Sequence, residues 1–343
     1  MKKPHYVEHP GKAVKTDGRF KHVMAISPDP RTKHTEGVIR CITSREGIEG
    51  FGGQIDRSVL HKVKGDTLDR FEIQERIQIK NLNKIIKKIS TKGVDFLGLE
   101  DPDIWIDEEK DLLHLYFTLP LIGTGKIKTR IHLGHAVGKD LNSLVMTMPV
   151  LMADKKGGAK ELSVAPVNKK GIRYNLVESS DKIKDTHYSV VRTVIAKDMG
   201  KDWKFGKIVF HPAKHKIPWI AGHASPGPLL PPTFIDLGPG KRVGIMNGCV
   251  ANRIVGGKTR YGAFSVGLFM YDYEKGQIDW VSKKPFIKDS EVGKVRPITF
   301  ASHFVETSHG KGIVYAHVDD SFVRAYDIDA SMIRKLLPKS SKK

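Results

Sequence analysis

Two adjacent carboxylates and a proline, Glu100-Asp101-Pro102, stand at the head of the apolar-alternating run Asp103-Ile104-Trp105-Ile106. A carboxyl on an apolar strand facing a narrow channel is partly desolvated, which raises its pKa and suits it to deliver a proton. Asp101 is therefore the first candidate for a general acid. Glycoside cleavage needs such an acid and, across the sugar ring, a second carboxylate or an anion. Lys160-Glu161 and Asp319-Asp320 offer further carboxylates at comparable points of the chain. An Asp before Pro is also an ordinary turn cap, so chemistry at Asp101 depends on the elements that carry it.

Those elements repeat. After residues 99–106 comes the charged turn 107–111, then alternating strands over 113–118 and 130–136. Strand, turn, strand, strand within about 50 residues is the plan of a propeller blade. The plan recurs from 165–167 through 172–177 and 188–196, from 231–235 through 243–247 and 261–269, and from 297–300 through 312–316 and 322–326. Starts roughly 60 to 70 residues apart mean one supersecondary unit repeated. With a divergent copy over 20–80, the reading is an all-β, five-bladed β-propeller in a single domain over 1–343, with loose ends at 1–19 and 338–343. One short connecting helix is expected over 81–90, where Leu82, Ile85, Ile86 and Ile89 share a face opposite Lys84, Lys87 and Lys88. In a propeller the first strand of every blade faces the axis, so Asp101, Glu161 and Asp319 should meet there.

Composition narrows the function classes. The net charge of +20, from 58 Lys and Arg against 38 Asp and Glu, would attract anions, acidic membranes or nucleic acid. The lysines are scattered through turns such as Lys155-Lys156 and Lys283-Lys284 without interleaved stacking aromatics, which argues against a nucleic-acid partner. No apolar leader follows Met1-Lys2-Lys3-Pro4-His5 and no run spans a bilayer, so a cytoplasmic location with no membrane partner is expected. Cys41 and Cys249 are too few for a disulfide framework. His132 and His135 lie three apart on a strand and face opposite sides, so no metal is expected among the 15 histidines. Trp105 reads as packing between blades, and homo-oligomerisation is open.

From about residue 20 to 337 the chain resembles the five-bladed-propeller β-mannoside phosphorylases and hydrolases, a family of inverting enzymes. Its Glu-Asp-Pro-Arg-Ile signature is matched by residues 100–104 except that Asp103 stands for Arg, and its Lys-Asp pair by Lys160-Glu161. The Gly-Pro-Pro loop is matched by Gly227-Pro228 with Pro231-Pro232, and the last-blade Tyr-Gly-Ala-Ala-Asp frame by residues 315–319. The resemblance implies that Asp101 is the general acid, in phosphorylases acting through a sugar hydroxyl, and that Asp319 binds sugar hydroxyls. It also implies that Lys160 and Glu161 line the site. Glu100, and His223 on the loop before blade four, are further candidate substrate contacts, although a loop histidine is more often incidental. Where phosphorylases carry a phosphate-binding arginine, this chain has Glu178, and Asn247 replaces an expected histidine, both being candidate substrate contacts. A lost guanidinium and an added carboxylate both disfavour phosphate. The expectation is a hydrolase of β-mannosides or related oligosaccharides, with Glu161 or Glu178 activating water and no cofactor; inorganic phosphate as co-substrate is the alternative.

An active glycosidase predicts Asp101, Glu161 and Asp319 converging with carboxylates about 6.5 to 9.5 Å apart. A catalytically inactive carbohydrate-binding propeller predicts a closed mouth or salt-bridged carboxylates. A nucleic-acid binder predicts one continuous lysine face and steep salt dependence.

Overall fold

The computed structural model describes residues 5–48, 54–154, 157–293 and 297–339. Its strands form five antiparallel blades around an axis. Blade one runs His22–Pro28, Glu36–Glu46, Ile55–Thr67 and Arg70–Arg76 from axis to rim. Blade two comprises Glu100–Asp107, Leu112–Gly123, Arg130–Gly138 and Val145–Met146, with Val94–Phe96 also on its second strand. Blade three comprises Lys160–Ser163, Arg173–Ile183, Thr186–Ala196 and Lys204–Phe210. Blade four comprises His223–Leu229, Lys241–Cys249, Phe264–Asp272 and Gln277–Val281. Blade five comprises Thr299–Ser308, Lys311–Val318 and Phe322–Asp329, and takes its rim strand, Val7–Glu8, from the other end of the chain.

The five largest apolar clusters are the five blade interfaces. Blades one and two share Leu60, Ile104 and Leu115; blades two and three share Tyr116, Val177 and Phe205. Blades three and four share Leu176, Trp219 and Phe269, and blades four and five share Ile245, Leu268 and Val314. The ring closes where Ile26 and Ile39 of blade one meet Val305 and Val323 of blade five. Middle strands are sandwiched on both faces, so residues 113–121 are buried without alternation.

Four expectations need correction. The inner strand of blade three is Lys160–Ser163, and that of blade four is His223–Leu229, ahead of the segments at 165 and 231 taken as their starts. Residues 5–19 are not loose: Val7 pairs with Asp327, and Ala13 and Val14 are buried between blades one and five. Residues 1–4, Lys155-Lys156 and the tail from Ser340 lie outside the described residues. The helix Leu82–Ile89 (α1) packs its apolar face on the first interface as expected. A second helix, Ala330–Leu336 (α2), capped by Asp329, buries Ala330 and Ile333 against blades four and five.

Candidate active site

The inner strands of blades one, two and three break register one residue after an early pair. Ala25, Asp101 and Glu161 sit at these breaks with φ of 53°, 48° and 53°. Left-handed backbone at a residue with a Cβ costs about 1 to 2 kcal/mol. In blade two the break accommodates a proline, although blades one and three make it without one. Pro102, with no N–H to donate, falls where the ladder skips from Glu100 opposite Thr118 to Asp103 opposite Tyr116. The bulge frees Asp101 from the pleat and turns it into an axial cavity of about 300 Å³.

Six carboxyl groups line that cavity: Asp56, Glu100, Asp101, Glu161, Glu178 and Asp320. Against them stand the fixed cations Arg40 and Lys160, with His223 and His317. Arg40, on the second strand of blade one, is buried and spreads its fork over Asp101 Oδ1 at 2.8 Å and Glu100 Oε1 at 2.7 Å, while its Nε donates to Ser58 Oγ at 2.9 Å. Lys160 Nζ meets Glu178 Oε1 at 3.2 Å, and His223 Nε2 lies 2.9 Å from Glu178 Oε2. His317 Nε2 lies 3.2 Å from Asp320 Oδ1. Tyr261, Phe264 and Phe300 supply the apolar wall.

The carboxyls differ in charge state for identifiable reasons. Burial, reinforced by the nearby charges of Asp101 and Glu178, drives Glu161 well above the usual carboxylate range. Glu100 is pushed up to about 7 by burial despite Arg40. Glu178 is as deeply buried, yet the charges of His223 and Lys160 outweigh the desolvation and hold it below its ordinary value. The charge of Glu178 in turn holds Lys160 protonated.

The structure thus brings Glu100, Asp101, Lys160, Glu161, Glu178 and His223 into one cavity. His223 opens the inner strand of blade four rather than sitting on a loop. Two expected substrate contacts lie elsewhere. The Asp319 carboxylate accepts backbone N–H groups of Ile298, at 2.9 Å, and Gly293, fixing the entry to blade five; the neighbouring Asp320 lines the cavity instead. Asn247 is fully buried and stitches blade four to blade five, its amide donating to Ala301 O at 2.9 Å and accepting from Ala301 N at 2.8 Å. Asp103, in place of the family arginine, is directed away from the cavity with His303 at 4.0 Å, and burial pushes it up to about 7. Trp105 packs between blades two and three beside Arg173. His132 accepts from Ala153 N whereas His135 contacts His114, so the two do not converge.

Arg40, Asp56, His317 and the aromatic wall escaped the sequence reading. Arg40 had a usable signal: a lone charge inside the run Val38-Ile39-Arg40-Cys41-Ile42 requires a buried counter-charge.

The sequence matches no protein-family model and no curated protein. Solved structures do share its fold. A beta-1,2-mannobiose phosphorylase from Listeria innocua superposes with a TM-score of 0.65 at 12% identity, over 96% of this chain and 99% of that one. A glycosyl hydrolase from Bacteroides ovatus gives 0.58 at 15% identity, over 91% and 85% of the respective chains. The catalytic domain of an alpha-L-arabinofuranosidase from Coprinopsis cinerea gives 0.54 at 7% identity, over 96% and 98%. These likenesses establish the five-bladed propeller.

Chemically, the cavity holds two carboxyls, Asp101 and Glu161, projected from consecutive blades into a desolvated space. Burial favours the proton on Glu161, whereas Asp101 is ion-paired with Arg40. Two carboxyls in one desolvated cavity, held by different partners, can serve acid–base chemistry.

Proposed function

We propose that the protein is an inverting glycosidase acting on β-mannosides or related oligosaccharides, with water rather than phosphate as the acceptor. The observation that carries this reading is the charge of the cavity: six carboxyls surround it, and both fixed cations, Arg40 and Lys160, are already engaged by them. Phosphate would enter against that field with neither cation free to receive it. A neutral sugar meets no such barrier, and the polar floor and aromatic wall suit its hydroxyls and its apolar face.

Asp101 gives its proton to the leaving oxygen, and Arg40 stabilises the carboxylate left behind. Glu161, whose raised pKa makes it the stronger base once ionised, takes a proton from the attacking water. Turnover therefore requires a protonated Asp101 and an ionised Glu161, so the proton that burial favours on Glu161 must leave before water attacks. Glu178, with both oxygens engaged, positions Lys160 and His223.

The Asp101–Arg40 ion pair favours a second reading, an inactive carbohydrate-binding propeller. Product release from manno-oligosaccharides and aryl β-glycosides, with and without inorganic phosphate, decides between them. Phosphate-independent free sugar that disappears in Asp101→Asn supports the glycosidase. Sugar 1-phosphate would overturn the choice of acceptor, and saturable binding without any product would establish the inactive propeller.

A further inference from the structure

The blades line the axial cavity unequally. Among the described residues, blade three offers it only ionisable groups, those of Lys160, Glu161 and Glu178. Blade two, beyond Glu100 and Asp101, offers Leu97, Pro120, Ile122, Ile131 and the single hydroxyl residue Thr118. The four apolar residues are contiguous. Pro120 and Ile131 stand opposite each other on the second and third strands, Ile122 follows Pro120 on the same face, and the Leu97 N–H donates to Pro120 O at 3.2 Å. Ile122 and Ile131 are half-buried, so the patch keeps carbon open to a guest.

This patch has little to offer a hydroxyl. The Thr118 Oγ1 is buried beneath the surface. The Leu97 carbonyl already accepts the Ser58 N–H at 2.9 Å, and the Ile131 carbonyl accepts the Ala159 N–H at 3.1 Å. A second sugar laid here would take its hydroxyls out of water without giving them partners. An alkyl or aryl group meets no such cost and gains by leaving water.

The position of the patch decides which part of the substrate meets it. In an inverting reaction the acid and the base approach the anomeric carbon from opposite faces. Asp101 belongs to blade two and Glu161 to blade three, so the departing group lies on the side of blade two, along the patch. The aromatic wall of blades four and five is left for the mannosyl ring.

We propose that the blade-two patch is a subsite for an apolar aglycone, alkyl or aryl, and that such β-mannosides are turned over in preference to mannobiose. That the group departs rests on the glycosidase reading; that it is apolar rests on the patch.

The test is a series of methyl, butyl and hexyl β-mannosides, in which leaving-group acidity is nearly constant and apolar length changes. In wild type kcat/KM should rise about two- to fourfold per added methylene, the factor that burying one is worth, and hexyl mannoside should exceed mannobiose. Ile122→Thr/Ile131→Thr keeps the branching that strands favour but puts hydroxyls on the patch, so the rise should flatten to below about 1.5-fold per methylene. Ile122→Thr alone should flatten it in part, and serves if a thermal melt shows the double variant unfolded. A flat series in wild type, an equal rise in wild type and variant, or mannobiose preferred to every alkyl mannoside overturns the proposal. Calorimetric titration of Asp101→Asn with the same compounds separates it from the glycosidase reading. Affinity that tightens with chain length, where wild type turns over no glycoside, would keep the apolar subsite and sink the glycosidase. Turnover of mannobiose with a flat alkyl series would keep the glycosidase and sink the subsite.

Discussion

In blade two, the residue at the bulge is Asp101, and the nearest cation, Arg40, reaches it from the second strand of blade one at 2.8 Å. In blade three, the residue at the corresponding bulge is Glu161, and the cation beside it, Lys160, turns to Glu178 at 3.2 Å. The backbone is nearly the same in both, with φ of 48° and 53°. The electrostatics are opposed: one carboxyl is ion-paired, and the other is driven toward its neutral form by burial and by two carboxylate neighbours. Identical strand geometry thus presents a side chain to the axis, and a residue from another strand decides what that side chain can do. Blade one shows the bulge without the chemistry, because Ala25 occupies it.

The largest break in this comparison is expected from Asp101→Asn. Turnover should fall by about 10² to 10⁴, the usual contribution of a positioned acid. The melting temperature should move little, because Glu100 keeps Arg40 paired. A variant that retains more than a tenth of the activity, or that unfolds, would move Asp101 out of the catalytic role.

Next in size is Arg40→Met, which strands Glu100 and Asp101 together in a buried site. Removing one partner of a buried ion pair costs about 3 to 5 kcal/mol, measurable by urea denaturation. A loss under about 1 kcal/mol would mean that water replaces the guanidinium.

Smaller, and diagnostic of blade three, is the pH dependence of Glu161→Gln. The folded protein binds the Glu161 proton more tightly than the unfolded chain, whose carboxyl titrates near the ordinary 4.5. Its favourable contribution is therefore complete below that pH and is lost as pH rises through the raised folded value. Above about pH 4.5, unfolding free energy should fall less steeply in Glu161→Gln than in wild type. Parallel curves would show that Glu161 is not desolvated. The least effect on stability is expected at the exposed hairpin Arg253–Val255 with Lys258–Arg260, where Arg253→Ala should leave the melt unchanged within about 0.5 kcal/mol. A clear drop would show that the arginine is structural.

How much was legible follows the range of the forces involved. Alternation and turn chemistry act over a few residues, so the strands of blade two and the face of α1 could be read directly. The inner strands of blades three and four were displaced because Lys160–Ser163 is too short to alternate and His223–Leu229 contains two prolines and a glycine. Asp319 and Asp320 share one tight turn, and no local rule says which of two adjacent carboxylates faces the axis. The backbone N–H groups of Ile298 and Gly293 decide it by claiming Asp319.

By itself, the sequence determined the repeat, the all-β class and the placement of carboxyl residues at the heads of blades, because these rest on period and composition. Only the tertiary structure decided their charge. Arg40 lies 61 positions from Asp101 and His223 lies 45 from Glu178, and those pairings exist only once five blades close into a ring. Desolvation, which separates Glu161 from an ordinary surface carboxylate, is likewise a property of the closed cavity, since no stretch of chain can withhold water from its own side chain.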